Sequence, residues 1–401
     1  IEKGAVMLGI QDMRWMCRNV MARDKALFPG HPVAAVAATT EAIAAEACKL
    51  IEVDYEVLPW AIEIDDALKP DAPILHEFNK FDGKPSNIMG RIESRKGDIA
   101  TGFKDAEIVI ERSFTTRPVH QGYIEPHACL ISVAADGKTT IWSSSQGQFM
   151  VRAMTSMLTG IPQSDIRAIP AEIGGGFGGK VDTLTEPLCI LGAMLTGRPV
   201  RYVFGREEEM QYGPPRGAER IYIKDGVMRD GRVVARKVRA YFDSGAYTRL
   251  SSYAAVKCAA HLPGPYTIPN VHGDVYCVFT NRTPATAMRG FGVTAMDFAI
   301  ECQMDKLAHL VGMDPMEIRI LNAYRDGDMK AHRREAKNTA LIECVQVAAE
   351  KAKWPLREDF KRMSSRKDGG GARAAVTPTP RETHAPPAVP SQQRTTYDRA
   401  P

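Results

Sequence analysis

The sequence predicts an α+β fold, and three observations carry that expectation. Short apolar or alternating runs recur through the middle of the chain, at 108–114, 128–134, 139–143, 200–204, 232–242 and 271–279, each of strand length. Asp136-Gly137 and Asp230-Gly231 stand between or beside such runs as hairpin turns. Helical patterns are mixed in without regular strand–helix alternation. The clearest spans 294–310, where Met296, Ile300, Met304 and Leu307 share one face and read as core.

The elements follow in order. Val33 to Ala38 is a small-residue apolar run and reads as a buried strand. Thr40 is placed to cap a helix over 41–50, and 51–58 alternates as a half-buried strand does. Residues 63–97, with several prolines, Gly83 and Lys84-Pro85-Ser86-Asn87, read as a connector. The main unit is expected over 98–328. Within it, 166–173 reads as a strand and 184–195 as a helix stopped by Gly197, while Asp314-Pro315 opens a further helix with an acidic cap and Pro in the first turn. Residues 329–366 are expected to be mostly helical, with an amphipathic stretch over 340–349. Periodicity stops after Arg366. The 367–401 stretch, rich in Gly, Pro, Thr, Arg and Ala, cannot bury enough surface to fold, and is expected to be either a disordered tail or an aberrant one produced by a frame change or fusion.

Composition excludes several classes. The 401 residues suffice for two or three domains, and 44% hydrophobic residues suffice for a sizeable core. A spread net charge of +4 points to no nucleic acid. No apolar run is long enough for a bilayer and no signal pattern stands at Ile1, so no membrane association and a cytoplasmic location are expected. The eight cysteines sit singly, without a C-x-x-C pair, so neither zinc nor an iron–sulphur cluster is expected in this chain. His120 and His127 flank Glu125, but their spacing matches no zinc pattern.

Chemistry concentrates in two glycine sites. Gly174-Gly175-Gly176-Phe177-Gly178-Gly179-Lys180 places five glycines around one aromatic. Such density is explained by close backbone approach to a ligand, because bare N–H groups in these turns form concavities for anions. The stretch also fits a phosphate-binding P-loop up to its last position, where Val181 replaces the magnesium-ligating hydroxyl. Met288-Arg289-Gly290-Phe291-Gly292 repeats the theme with an arginine fork. Upstream, Trp142-Ser143-Ser144-Ser145-Gln146-Gly147-Gln148 runs from an apolar strand into small hydroxyls and an amide able to donate and accept.

The order and spacing of Ser-Ser-Gln, GGGFGGK and Arg-Gly-Phe-Gly, with His120 to His127 upstream, resemble the molybdenum-binding subunit of the xanthine dehydrogenase and aldehyde oxidase family, from near the start to about Pro355. The resemblance implies a partial α/β hammerhead domain over 1–62, a first, mixed-sheet molybdopterin-binding domain over 98–328 and the start of a second over 329–366. It implies a molybdenum–molybdopterin cofactor, in the cytosine dinucleotide form if the protein is bacterial. It places Gln146, Gly175, Gly176, Phe177, Gly178 and Arg289 at the cofactor, with Gln146, Phe177 and Arg289 nearest the molybdenum. It gives Val181, Arg216 and Phe291 to the substrate, Phe291 as a stacking wall. The implied reaction is hydroxylation with water, with electrons leaving through iron–sulphur and FAD partner subunits of a hetero-oligomer. Non-catalytic cofactor binding is the alternative.

Two departures qualify this. Purine-oxidising members carry a glutamate where Val181 stands, so an aldehyde, another heterocycle or an aromatic thioester is expected rather than xanthine. The family's general base lies in a Gly-Xaa-Gly-Glu segment, and no such segment is present, so the base is expected beyond the chain end and the truncated chain is expected to be inactive.

Overall fold

The computed structural model describes residues 18–366. The tail expected over 367–401, Cys17 and the first part of the hammerhead region lie outside the described residues.

Strands β1 (Lys80–Phe81) and β2 (Lys84–Pro85) form a minimal hairpin. Two larger sheets carry the fold. Strands β3 (Ile88–Lys96), β4 (Ile108–Thr116), β9 (Glu219–Val227), β10 (Val233–Gly245) and β11 (Asn270–Phe279) lie in the order β3-β11-β10-β9-β4. Strands β5 (Ala128–Val133), β6 (Thr139–Ser143), β7 (Ile166–Pro170) and β8 (Val200–Val203) lie in the order β7-β6-β5-β8. Each sheet contains one parallel pair. A parallel pair needs a crossover: helix Gln148–Thr159 joins β6 to β7, and helix Ser251–Ala260 lies between β10 and β11. Both Asp-Gly turns close antiparallel hairpins, β5–β6 and β9–β10. The mixed α+β architecture is as expected.

The main core joins the five-stranded sheet to helix Thr294–Val311. Ile221, Ile223, Val238, Ala240 and Val275 pack in one cluster with Met296, Ile300, Met304 and Leu307, all buried. Inside it, Arg236 grips Asp225 through two hydrogen bonds of 2.8 and 2.9 Å, with neither side chain exposed. Helix Pro315–Asn322 opens on Asp314, whose carboxylate accepts from the Met316 and Glu317 N–H groups. Helices Leu341–Lys351 and Glu358–Lys361 pack against it through Ile320, Ile342, Ala349 and Phe360.

Three expectations need correction. Residues 33–38 form no strand and are largely exposed. Residues 51–58 form no strand either and are exposed throughout, although Thr40 does cap the helix Glu41–Lys49. A strand needs a hydrogen-bonding neighbour, and no described segment pairs with either run. Conversely, the expected connector contributes β3, an edge strand held in register on β11, Glu93 facing Asp274. Its solvent-side Arg91, Glu93 and Arg95 disguise it in the sequence, and such charges suit an exposed edge.

Candidate active site

The site is assembled from the ends of secondary elements. Strand β6 delivers Ser143 to Ser145 and then Gln146 beside the first glycine loop. Small hydroxyls are needed there because each one staples backbone or a buried carboxylate. Ser143 Oγ donates to Glu186 Oε1 at 2.8 Å, and Ser144 Oγ accepts from the Ala128 N–H at 3.0 Å. Ser145 Oγ donates to the Lys180 carbonyl at 3.2 Å and accepts from the Gly147 N–H at 3.0 Å. The Gln146 N–H also donates to the Lys180 carbonyl, at 2.8 Å.

Gln146 then reaches across the loop. Its Oε1 accepts from the Gly178 N–H at 2.8 Å and from the Lys180 N–H at 3.3 Å. With the oxygen so occupied, the amide nitrogen is the group left to meet a ligand. Glycine is required by space as well as by backbone angle. A Cβ on Gly176 would stand 2.5 Å from Gln146 Oε1, and one on Gly178, at φ +104°, would stand 2.7 Å from the Ala287 carbonyl. The N–H groups of Gly175, Gly176 and Phe177 make no hydrogen bond among the described residues. Phe177 sits at φ +49° with its ring half exposed.

The second glycine site lies directly against the first. The Arg289 N–H donates to the Phe177 carbonyl at 2.8 Å, and the Arg289 guanidinium lies 5.9 Å from the Phe177 ring centre. Phe291 stacks on Tyr253, ring centres 5.7 Å apart. Gln121 ties this loop to the 214–217 turn, donating to the Pro214 and Ala287 carbonyls at 3.0 and 2.8 Å. Gln146, Gly175, Gly176, Phe177, Gly178 and Arg289 therefore form one cluster, and Val181 borders it at Gly147. Arg216 is set differently: its backbone pairs with Val119, and its Nε is enclosed with no partner among the described residues.

Lys180 is not free to meet a phosphate. Its side chain is buried, donates to Glu125 Oε2 at 2.5 Å and lies over the Tyr123 ring. Glu125 Oε2 also accepts from the Gly174 N–H at 2.8 Å, so this pair locks the loop's entrance. The two histidines turn elsewhere. His127 Nδ1 lies 3.0 Å and His120 Nε2 3.4 Å from the fully buried Glu209, which also accepts from Tyr123 Oη at 2.5 Å and the His127 N–H at 2.7 Å. Burial raises the Glu209 pKa, but the hydrogen bonds from His120, His127 and Tyr123 outweigh it and hold the carboxyl well below the ordinary glutamate range. Glu209 does not stand out in the sequence. It is one of three consecutive glutamates in the first turn of helix Arg206–Tyr212, and only its inward position distinguishes it.

Elsewhere, Cys129 and Cys189, far apart in sequence, have sulphurs 3.6 Å apart in the second core. Both are buried, whereas Cys48 and Cys344 are exposed. Glu93, His272 and Asp274 come together on β3 and β11, but Arg91 and Arg95 already pair with the two carboxylates.

The cluster suits a flat, oxyanion-bearing cofactor. It offers three free N–H groups on a glycine cradle, an amide nitrogen and a guanidinium, with side-chain volume excluded at Gly176 and Gly178. Comparison with known proteins agrees. Residues 80–323 match the molybdopterin cofactor-binding domain, and residues 6–59 match the a/b hammerhead domain of aldehyde oxidase and xanthine dehydrogenase. The nicotinate dehydrogenase large molybdopterin subunit of Eubacterium barkeri is 34% identical over 330 residues, which are 82% of this chain and 76% of that protein. The carbon monoxide dehydrogenase large chain of Hydrogenophaga pseudoflava is also 34% identical, over 76% of this chain and 40% of its own length. The solved aldehyde oxidoreductase from Desulfovibrio gigas matches with a TM-score of 0.73 at 30% identity, covering 80% of this chain and 36% of that one. The chain thus spans less than half of the last two relatives. No described helix is long and apolar enough to cross a membrane. By the match over 80–323 and by these relatives, the chain belongs to the molybdopterin-binding proteins of the xanthine dehydrogenase and aldehyde oxidase family.

Proposed function

We propose that this chain is the molybdenum-cofactor-binding part of an oxidoreductase that hydroxylates an aldehyde, an N-heterocycle or an aromatic thioester carbon. The observation that carries the reading is the direct contact of the two glycine loops, Arg289 N–H on the Phe177 carbonyl, with Gln146 pinned beside them. When bound, the cofactor supplies a Lewis acid and a two-electron acceptor for the oxidation of the substrate carbon by water. The chain supplies position. Gly175 to Phe177 present N–H groups, Gln146 presents its amide nitrogen, and Arg289 presents a cation beside the Phe177 ring. Phe291 offers a face to a flat substrate. Val181 gives the neighbouring wall no hydrogen-bonding group, which argues against purine recognition at that position.

We assign the general base to no residue of these 401, and electron exit to iron–sulphur and FAD partner subunits in a hetero-oligomer. The pairing of the buried Lys180 with the partly exposed Glu125 argues against the phosphate-binding alternative.

Metal and pterin analysis of the purified protein tests the reading. Molybdenum and pterin are expected to co-purify in equal amounts and to fall together in Gln146→Ala and Gly176→Val. Absence of both, with ATP binding abolished by Lys180→Ala, would replace this reading by the P-loop one. Cofactor without turnover in the complete assembly would leave a binding role alone.

A further inference from the structure

We propose that Tyr123 is a positioning residue of the cofactor cradle, its ring the floor under the first glycine loop and the Glu209 carboxylate the anchor that fixes that ring; this rests on the molybdenum-site reading above. The glycines of the loop divide by what a side chain on each would strike. Gly176 and Gly178 leave room for Gln146 and the Ala287 carbonyl, whereas Gly175 and Gly179 leave room for Tyr123. A Cβ on Gly175, at φ +95°, would stand 3.0 Å from Tyr123 Cβ. One on Gly179 would stand 2.8 Å from Tyr123 Cε1 and 2.9 Å from the Gln121 amide. Lys180, next along, holds its Nζ 5.0 Å from the Tyr123 ring centre. One ring therefore underlies the loop on both sides of Gly176 and Phe177, whose N–H groups make no hydrogen bond among the described residues.

Such a floor aims the loop only if it cannot itself turn. Tyr123 is 2% exposed, and a buried phenol needs a partner for its hydroxyl. Helix Arg206–Tyr212 holds it at both ends. Arg206 donates to the Tyr123 carbonyl at 3.1 Å and also to that of Ile124, while Glu209 Oε1 accepts from Tyr123 Oη at 2.5 Å. Residues three apart on a helix share a face, so one short helix grips the backbone and the ring tip together. The His127 N–H holds the other carboxylate oxygen, Oε2, at 2.7 Å, which keeps Oε1 turned to the phenol. An ionised acceptor makes that hydrogen bond roughly twice as strong as a neutral one would. Tyr123 thus acts on the cofactor through the loop it supports.

The test uses the complete cofactor-loaded enzyme. Molybdenum release during dialysis, the melting temperature and the electron paramagnetic resonance line of partly reduced molybdenum are measured for the wild type, Tyr123→Phe, Tyr123→Leu, Glu209→Gln and Ile342→Ala. Ile342 lies in the separate cluster around Phe360 and supplies the case of lost stability alone. Tyr123→Leu is expected to release molybdenum about tenfold faster than the wild type. Tyr123→Phe and Glu209→Gln keep the ring, and are expected to release it more slowly than Tyr123→Leu but to broaden the resonance line, because the loop is no longer held in one position. Ile342→Ala is expected to lower the melting temperature with release and line unchanged. Release from Tyr123→Leu no faster than from Ile342→Ala would overturn the inference. Where Tyr123→Leu does not fold, an unbroadened line in Tyr123→Phe overturns it. Wild type without molybdenum overturns the functional reading instead, and this inference falls with it.

Discussion

At the scale of single residues, the site is governed by where a methyl group does and does not fit. Gly178 and Gly137 both have positive φ, +104° and +83°, yet an added Cβ meets the Ala287 backbone at the first and nothing within 4 Å at the second. Gly178→Ala is therefore expected to cost about 1–3 kcal/mol and Gly137→Ala about 1 kcal/mol, read from urea unfolding midpoints. Backbone cannot rotate away as a side-chain tip can, which is why the first exceeds the second. Glu209 sets an acid limit of its own. Its folded pKa is held below the ordinary 4.5, so the stability it contributes is complete above that value and is lost as pH falls beneath it. Replacing it by glutamine is expected to flatten the acid limb of a melting-temperature profile while lowering stability at neutral pH, where Tyr123 and both histidines lose their charged acceptor.

Between elements, the same motif carries different weight in different places. Thr40 and Asp314 both cap helices, but the helix after Thr40 buries no residue, whereas the helix after Asp314 buries Ile318, Ile320 and Leu321. Asp314 also accepts from Trp354 Nε1 at 3.0 Å, so it fastens the 341–361 helices as well as starting its own. Asp314→Ala is expected to cost about 1–2 kcal/mol in global unfolding, and Thr40→Ala to leave the global transition unmoved. Amide exchange distinguishes the two: Thr40→Ala is expected to accelerate exchange only within 41–49. The 329–366 region, expected to open a second domain, rests on the first through this cap and through the Arg357–Glu317 ion pair at 2.8 Å.

For the whole molecule, buried carboxyls make stability fall as pH rises: burial raises the pKa of Glu219, Asp243 and Asp182 alike. Glu219 opens β9, is almost wholly enclosed, and has its pKa raised from 4.5 to about 8 by burial, with Arg216 opposing. A raised carboxyl binds its proton more tightly in the folded state, so its contribution is present below pH 4.5 and is lost as pH rises toward about 8. Glu219→Gln is expected to reduce that slope above about pH 6 in denaturant titrations at stepped pH, where the raised Asp243 carboxyl no longer contributes. Much of the architecture was legible in the sequence because hydrophobic period and Asp-Gly turns are local signals: β6 falls on 139–143 as expected, and Met296, Ile300, Met304 and Leu307 are all fully buried. The glycine loops were legible because so many glycines between a strand and a helix cost order unless the backbone must come close to a neighbour. Glu209 was not, since its role depends on residues over eighty positions away, nor was β3, whose partner β11 lies about 180 residues downstream. The strands expected at 33–38 and 51–58 fail for the complementary reason: an alternating pattern describes a face, and pairing decides whether a strand forms.

That unpaired stretch has a consequence of its own. From Glu52 to Trp60 the backbone makes no hydrogen bond among the described residues, while Val53, Tyr55, Val57, Leu58 and Trp60 face solvent. Glu52, Asp54 and Glu56 alternate with them and Pro59 follows, so like charges and a missing N–H oppose a second copy laying its own ribbon here. The solubility of this stretch is therefore expected to rest on those three carboxylates, and Glu56→Gln to lower the concentration at which light scattering detects self-association.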